Sequence, residues 1–278
     1  MPITLTASFA LAQASGPSDS PVATTSSVGA RSGIDPGKLP AITMAFWIMK
    51  ICATTLGETA GDLMSMTLKV GYAVSTAILF AVFCVVLAAQ LRSKHHHPAL
   101  YWSVILATST AGTTMSDFMD RTLGLGYTLG SSILLGTLVA VLITWKLVEG
   151  SLSVTNIQTR RGEVFYWMAI LISNTLGTAA GDFLADDSGL GFAGGAALIA
   201  GIIGLIVLAF YFTKVPRLLL FWAAFVLTRP LGATMGDVLT KGPERGGLGL
   251  GTIGSSLMLL GLLVGVVCWT SRKTSKVA

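Results

Sequence analysis

Thr54-Thr55-Leu56-Gly57-Glu58-Thr59-Ala60-Gly61-Asp62 decides how the whole chain is read, because it returns three times. The later copies are Ser109-Thr110-Ala111-Gly112-Thr113-Thr114-Met115-Ser116-Asp117, Asn174-Thr175-Leu176-Gly177-Thr178-Ala179-Ala180-Gly181-Asp182 and Arg229-Pro230-Leu231-Gly232-Ala233-Thr234-Met235-Gly236-Asp237. A tryptophan stands ten residues before each glycine and fifteen before each aspartate: Trp47, Trp102, Trp167 and Trp222. A register kept four times without a slip marks a four-repeat protein.

The solvent follows from composition. Of 278 residues 53% are hydrophobic and only 11% charged, with a mean hydropathy of +0.75. Soluble domains carry about a quarter charged residues, so this chain belongs in lipid. Eight apolar segments are predicted near residues 41–65, 70–91, 99–119, 127–148, 164–185, 192–213, 217–239 and 250–270. About 20 residues of helix cross a hydrocarbon core of about 30 Å. The predicted fold is therefore all-α, a polytopic membrane protein of eight transmembrane helices in four tandem helical hairpins.

The tryptophans lie 55, 65 and 55 residues apart, which pairs the repeats first with second and third with fourth. The expected divisions are a disordered cytoplasmic tail (1–40), a first membrane half (41–148), a connecting loop (149–163), a second half (164–270) and a basic C-terminal tail (271–278). Two helices per repeat relate the pseudo-symmetric halves by an axis along the membrane normal. Lys and Arg number twelve in the tails and even-to-odd loops but four in the odd-to-even turns. Both termini are therefore expected in the cytoplasm. The net charge of +5 is spread over connecting loops, and no nucleic-acid partner is implied. The three cysteines have no metal or redox spacing and read as packing residues.

On a helix, Thr54, Gly57, Glu58, Gly61 and Asp62 share one face. Gly57/Gly61, Gly112/Ser116, Gly177/Gly181 and Gly232/Gly236 form small-xxx-small pairs that let helices approach closely. Gly71/Ser75, Gly126/Gly130, Gly191/Gly195 and Gly251/Ser255 repeat the pattern on the even segments. Asp62, Asp117, Asp182 and Asp237 sit about 22 Å along the helix from the tryptophans, in the outer half of the membrane. Embedded carboxylates need a cation, a cavity or one another. The alternative is that they cap the hairpin turns.

Thr54, Thr55, Ser109, Thr110, Thr113, Asn174, Thr175 and Thr178 extend the polar stripe inward as candidate pathway-lining groups. Glu58 adds a second carboxylate in the first repeat alone, and Arg229 and Lys50 are candidate charge-compensating groups. Lys50 lies early in its helix, where a lysine can also snorkel. Five acids against these two cations leave a formal −3. An anionic, oxygen-only set suits Mg²⁺, Mn²⁺, Ca²⁺ or protons. Asp120, Asp186 and Asp187 at the turns would add negative field or be solvated loop. The His95-His96-His97 run reads as a connector.

The four Trp…TLG…GD hairpins resemble a bacterial integral membrane family of tandem two-helix repeats, catalogued as a repeat of unknown function. The resemblance covers about Ala41 to Thr270 and implies eight helices in a bacterial inner membrane, with no activity attached. Arg229-Pro230 departs from the pattern. The residues themselves point to a secondary transporter for a cation, most plausibly divalent metal (Mn²⁺ or Mg²⁺-like) coupled to protons. Lipid, a small cation and protons are the expected partners. The alternative is a non-transporting scaffold or partner-binding subunit with capping aspartates. No nucleotide loop, HExxH or GxSxG constellation occurs, so no enzyme and no cofactor are expected.

Overall fold

The computed structural model describes residues 43–93, 97–152, 157 and 159–275. The expected tail over 1–40, His95, His96 and part of the 149–163 connection lie outside these residues. All regular structure among the described residues is helical. The long helices are α1 (Met44–Asp62), α2 (Tyr72–Arg92), α3 (Pro98–Asp117), α4 (Gly126–Glu149), α5 (Arg160–Asp182), α6 (Gly191–Phe212), α7 (Arg217–Thr240) and α8 (Gly251–Ser275).

Local chemistry explains where they start. Thr43 accepts from the Phe46 N–H at 3.2 Å and Thr159 from the Gly162 N–H at 2.9 Å, so each satisfies a donor of the first turn. Pro98 opens α3, where a missing N–H costs nothing. Beyond their aspartates, α1, α3 and α5 each widen into one π-helical turn, Leu63–Thr67, Phe118–Thr122 and Phe183–Asp187. In contrast, α7 runs regularly to Thr240 and enters a loop holding a 3-10 turn, Pro243–Arg245.

Each turn leads into the next helix through two left-handed positions: Lys69 and Gly71, Gly124 and Gly126, Gly189 and Gly191, Gly249 and Gly251. Glycine adopts that conformation without steric cost, and Lys69 does so at +56° as the single non-glycine among the described residues. This corrects the packing role expected of Gly71, Gly126, Gly191 and Gly251: a Cβ there would meet nothing within 4 Å. Their partners Ser75, Gly130, Gly195 and Ser255 are the buried members of those pairs.

Side-chain polarity sorts the helices into two rings. The odd helices α1, α3, α5 and α7 form a closed inner ring in which each packs on its two neighbours, with α7 returning to α1. The even helices surround them and expose leucine, isoleucine, valine and phenylalanine, among them Val85, Leu147, Leu205, Phe212 and Leu257. Such a surface suits lipid.

Six helices (α2, α4 to α8) are long and apolar enough to cross a membrane by length and composition, which makes this a multi-pass membrane protein. The remaining two, α1 and α3, carry polar motif residues on faces enclosed by the ring.

Each repeat is an inner helix, a turn and an outer helix, as expected, but its two helices do not pack mainly on each other. Among the described residues, α2 packs on α3, α4 on α5, α6 on α7 and α8 on α1, while the two helices of one repeat pack much less on each other. Each outer helix thus clasps the inner helix of the next repeat, and the last clasps the first.

At the tail end, aromatic rings close the ring from below. Phe46, Tyr101, Tyr166 and Phe221, each just before a repeat tryptophan, are all buried. A circuit of neighbouring rings runs Trp47, Phe46, Trp102, Tyr101, Trp167, Tyr166, Trp145, Trp222, Phe221 and back to Trp47, with centroids 5.1–6.4 Å apart. The Tyr101 and Tyr166 hydroxyls share a hydrogen bond of 2.8 Å inside it. Aromatic pairs of this kind contribute about 0.5–1.5 kcal/mol each beyond their buried area.

Candidate functional site

The motif glycines set the ring's diameter. A Cβ on Gly57 would meet Ser109, one on Gly112 Asn174, one on Gly177 Arg229, and one on Gly232 Thr54. The contact advances one repeat each time and closes on itself. Gly61 against Thr113, Gly181 against Ala233 and Gly236 against Glu58 repeat it one turn higher, each at 2.9 Å. With so little room, the side chains on the axis form layers.

Lys50 lies lowest, level with its counterparts Ile105, Ile170 and Phe225, and all four are buried. It does not snorkel. Lys50 is 0% exposed, its ammonium lies 4.2 Å from the centre of the Phe225 ring, and its Nζ has no hydrogen-bond partner among the described residues.

One turn higher, the Arg229 guanidinium, also 0% exposed, plugs the axis. Its Nε donates to the Asn174 carbonyl at 3.2 Å and its Nη1 to the Thr54 carbonyl at 2.9 Å. Nη2 donates to Glu58 Oε2 at 3.0 Å, Thr178 Oγ1 at 2.6 Å, the Ser109 carbonyl at 3.3 Å and Thr113 Oγ1. A single side chain therefore ties α7 to the other three inner helices.

Above Arg229 the ring opens into a cup on the side of the odd-to-even turns. Its volume is about 50 Å³, and its wall holds six carboxylates, Glu58, Asp62, Asp117, Asp182, Asp186 and Asp237, against Arg121, Lys241 and Arg245. At about 10–15 Å³ per water, this accommodates a few waters or one partly hydrated ion.

The four repeat aspartates do converge here, but they are not equivalent. Arg121 bridges Asp117 at 2.9 Å and Asp182 at 3.6 Å; Lys241 bridges Asp62 and Asp237, both at 3.2 Å. Each cation thus joins the aspartate of its own repeat to that of the next. Burial opposes the charge on Lys241, and Asp62 and Asp237 outweigh it, holding its pKa above the ordinary lysine value.

Oxygens of Glu58, Asp182 and Asp237 all lie within 4.8 Å of one another. Asp182 is 5% exposed and accepts no hydrogen bond from the described residues; among them its one cation contact, at 3.6 Å, is beyond hydrogen-bond length. Oxygens about 4.8 Å apart span a cation with bonds of about 2.4 Å, whereas bonds of about 2.0–2.1 Å require them to close up. Asp62 and Asp117, expected as ligands, line the cup outside this triad.

The expected pathway residues line no part of the cup. Thr113 and Thr178 hold Arg229, while Thr54, Ser109 and Asn174 fill the seams opposite glycines. Thr55, Thr110 and Thr175 donate back to carbonyls of their own helices, Ile51, Leu106 and Leu171. A hydroxyl that bonds one turn back is satisfied locally and offers little to an ion.

Three of the aspartates make no cap. Asp62, Asp117 and Asp182 precede the π turns without any side-chain capping bond. Of the turn acids, Asp186 joins the cup, Asp187 is exposed, and Asp120 is buried beside Ser116, whose hydroxyl donates to it at 3.3 Å.

Arg121 and Lys241 were missed as site residues. The signal was present: Met66, Arg121, Asp186 and Lys241 stand four residues after the repeat aspartates, on the same face.

The family model described as Repeat of Unknown Function (DUF347) matches four times, over residues 45–96, 100–151, 165–215 and 220–275. The chain belongs to this family. The boundaries coincide with the repeats defined by tryptophan, glycine and aspartate, so each family unit supplies one inner helix, one cup aspartate and one outer helix. No curated protein and no solved structure matched.

Proposed function

We propose that the protein is a secondary transporter for a hard cation, a divalent metal such as Mn²⁺ or Mg²⁺ exchanged for protons. The observation that carries this reading is the convergence of Glu58, Asp182 and Asp237 in a buried cup where the Asp182 carboxylate lacks a hydrogen-bond donor among the described residues. Carboxylate oxygens favour hard cations, and a buried anion without a donor favours occupation by a cation or proton. The membrane is a bacterial inner membrane with both termini cytoplasmic, so the cup faces outward. No catalytic role is assigned to any residue.

Arg229, Lys50 and the aromatic circuit close the axis beneath the cup, which fits one end-state of an alternating-access cycle rather than an open pore. The competing reading, a scaffold with capping aspartates, loses support because three of the aspartates make no capping bond. The test is Mn²⁺ uptake into proteoliposomes under an imposed pH gradient. Asp182→Asn, which keeps shape and removes charge, should lower uptake at least about tenfold. Wild-type uptake by Asp182→Asn would refute the transport site.

A further inference from the structure

We propose that Lys241 is a chain-borne competitor for the substrate cation, expelled from the cup when the cation loads and returned when it leaves. This inference rests on the cation-site reading above and adds a residue that sets affinity and release.

Asp237 is the point of conflict. One of its oxygens belongs to the triad with Glu58 and Asp182, and its Oδ1 is 3.2 Å from the Lys241 ammonium. A divalent ion held by the triad would share that carboxylate with the ammonium, and the two cations repel. They cannot both hold it at full strength.

The remaining triad members leave Lys241 as the mobile partner. Glu58 is tied by Arg229, which is fully buried and anchored to three helices. Asp182 accepts no hydrogen bond from the described residues, with Arg121 at 3.6 Å. Lys241 lies just beyond the end of α7, and its side chain is 23% exposed. A lysine stem there can swing to the mouth without disturbing the ring.

The repeat register supports the assignment. Of the four residues in the layer after the aspartates, Met66 and Asp186 cannot act as cations and Arg121 holds its triad member weakly. Within that layer Lys241 alone lies at hydrogen-bond distance from a triad carboxylate.

The experiment is calorimetric titration of Mn²⁺ into the full-length protein in detergent. Wild type is compared with Lys241→Gln, Lys241→Met, Lys241→Arg and Asp182→Asn, each checked as one symmetric gel-filtration peak. Neutral variants should bind Mn²⁺ about tenfold more tightly, Lys241→Arg should stay within about twofold of wild type, and Asp182→Asn should lose binding. Lys241→Met keeps the apolar stem, so a poorly folded Lys241→Gln does not leave the question open. In proteoliposomes the neutral variants should release Mn²⁺ more slowly. If Asp182→Asn abolishes binding while the neutral Lys241 variants bind like wild type or more weakly, Lys241 is a structural ion pair and the competitor role is overturned. If neither wild type nor the neutral variants bind Mn²⁺, the cation-site reading itself fails.

Discussion

Gly57→Ala is the sharpest test of the ring. A Cβ at that position would lie 3.0 Å from the Ser109 carbonyl carbon and 3.1 Å from its Cα, with Ser109 Cβ closer still. Carbon atoms rest about 3.5–4.0 Å apart, so clearing the Ser109 Cβ requires α1 and α3 to separate by more than about 1 Å. Backbone is the obstacle, and no rotamer change relieves it. Overpacking of this kind costs about 1–3 kcal/mol. Separation also draws the Ser109 carbonyl away from Arg229 Nη2, now at 3.3 Å, past hydrogen-bond length. A bond to a charged group contributes about 1.5–3 kcal/mol, so the total loss is about 3–5 kcal/mol. The control is Gly136→Ala on the exposed face of α4, where a Cβ would meet nothing within 4 Å. Both would be followed by reversible SDS unfolding in mixed micelles. If Gly57→Ala lies within about 0.5 kcal/mol of Gly136→Ala, the glycine face does not pack on α3 and the ring is wrong.

Further outcomes follow from the same contacts. A double-mutant cycle of Arg229→Leu and Glu58→Leu should show a coupling of about 2 kcal/mol or more, because each single change strands a buried charge; additive effects would separate the pair. Lys69→Gly should stabilise by up to about 1 kcal/mol, since Lys69 occupies a left-handed conformation, whereas Gly124→Ala at the equivalent place should destabilise by about as much. A cysteine placed at exposed Asp187 should react with an impermeant thiol reagent in intact cells, and one at exposed Lys214 only after permeabilisation; the reverse pattern would invert the membrane orientation.

The parts of this architecture that repeat at fixed spacing were readable from the chain. Trp47, Gly57 and Asp62 with their copies mark out four units, their inner helices and an acidic layer by register alone. What spacing cannot show is which helix an outer helix touches. That depends on how each turn projects it, through left-handed pairs such as Gly124 and Gly126, and the result is a clasp between successive repeats. Charge in the turns was equally hidden. Arg121 and Lys241 look like loop residues when counted for topology, yet they return to the axis because they stand one turn beyond an inward-facing aspartate. The buried aromatics before each tryptophan could have been read but were overshadowed by the tryptophan itself. Lys50 shows the opposite failure: a lysine near a helix start suggests an exposed head, but the closed ring places that face on the axis.

Closure of the ring also explains why the repeats are unequal. Four identical helices around one axis present four identical side chains to the same small space, and only short ones fit at every position. The layers obey this limit. Arg229 shares its layer with Thr54, Ser109 and Asn174; Glu58 shares the next with Thr113, Thr178 and Ala233. Each of these two layers holds one long charged side chain, and its other three members stay smaller. Because Arg229 is in the fourth repeat and Glu58 in the first, the two meet across the α7–α1 seam that closes the ring. The aspartate layer escapes the restriction because there the ring widens into the cup, and all four copies keep the same residue. Fourfold chemistry survives where space allows it, and the axis below is reduced to one plug. A second arginine, placed by Asn174→Arg, would need the volume Arg229 already fills and a second set of buried acceptors. It should prevent folding in the wild-type background and be tolerated better with Arg229→Thr, which restores one long side chain per layer. Equal yields of Asn174→Arg with and without Arg229→Thr would show that the axis is not limiting.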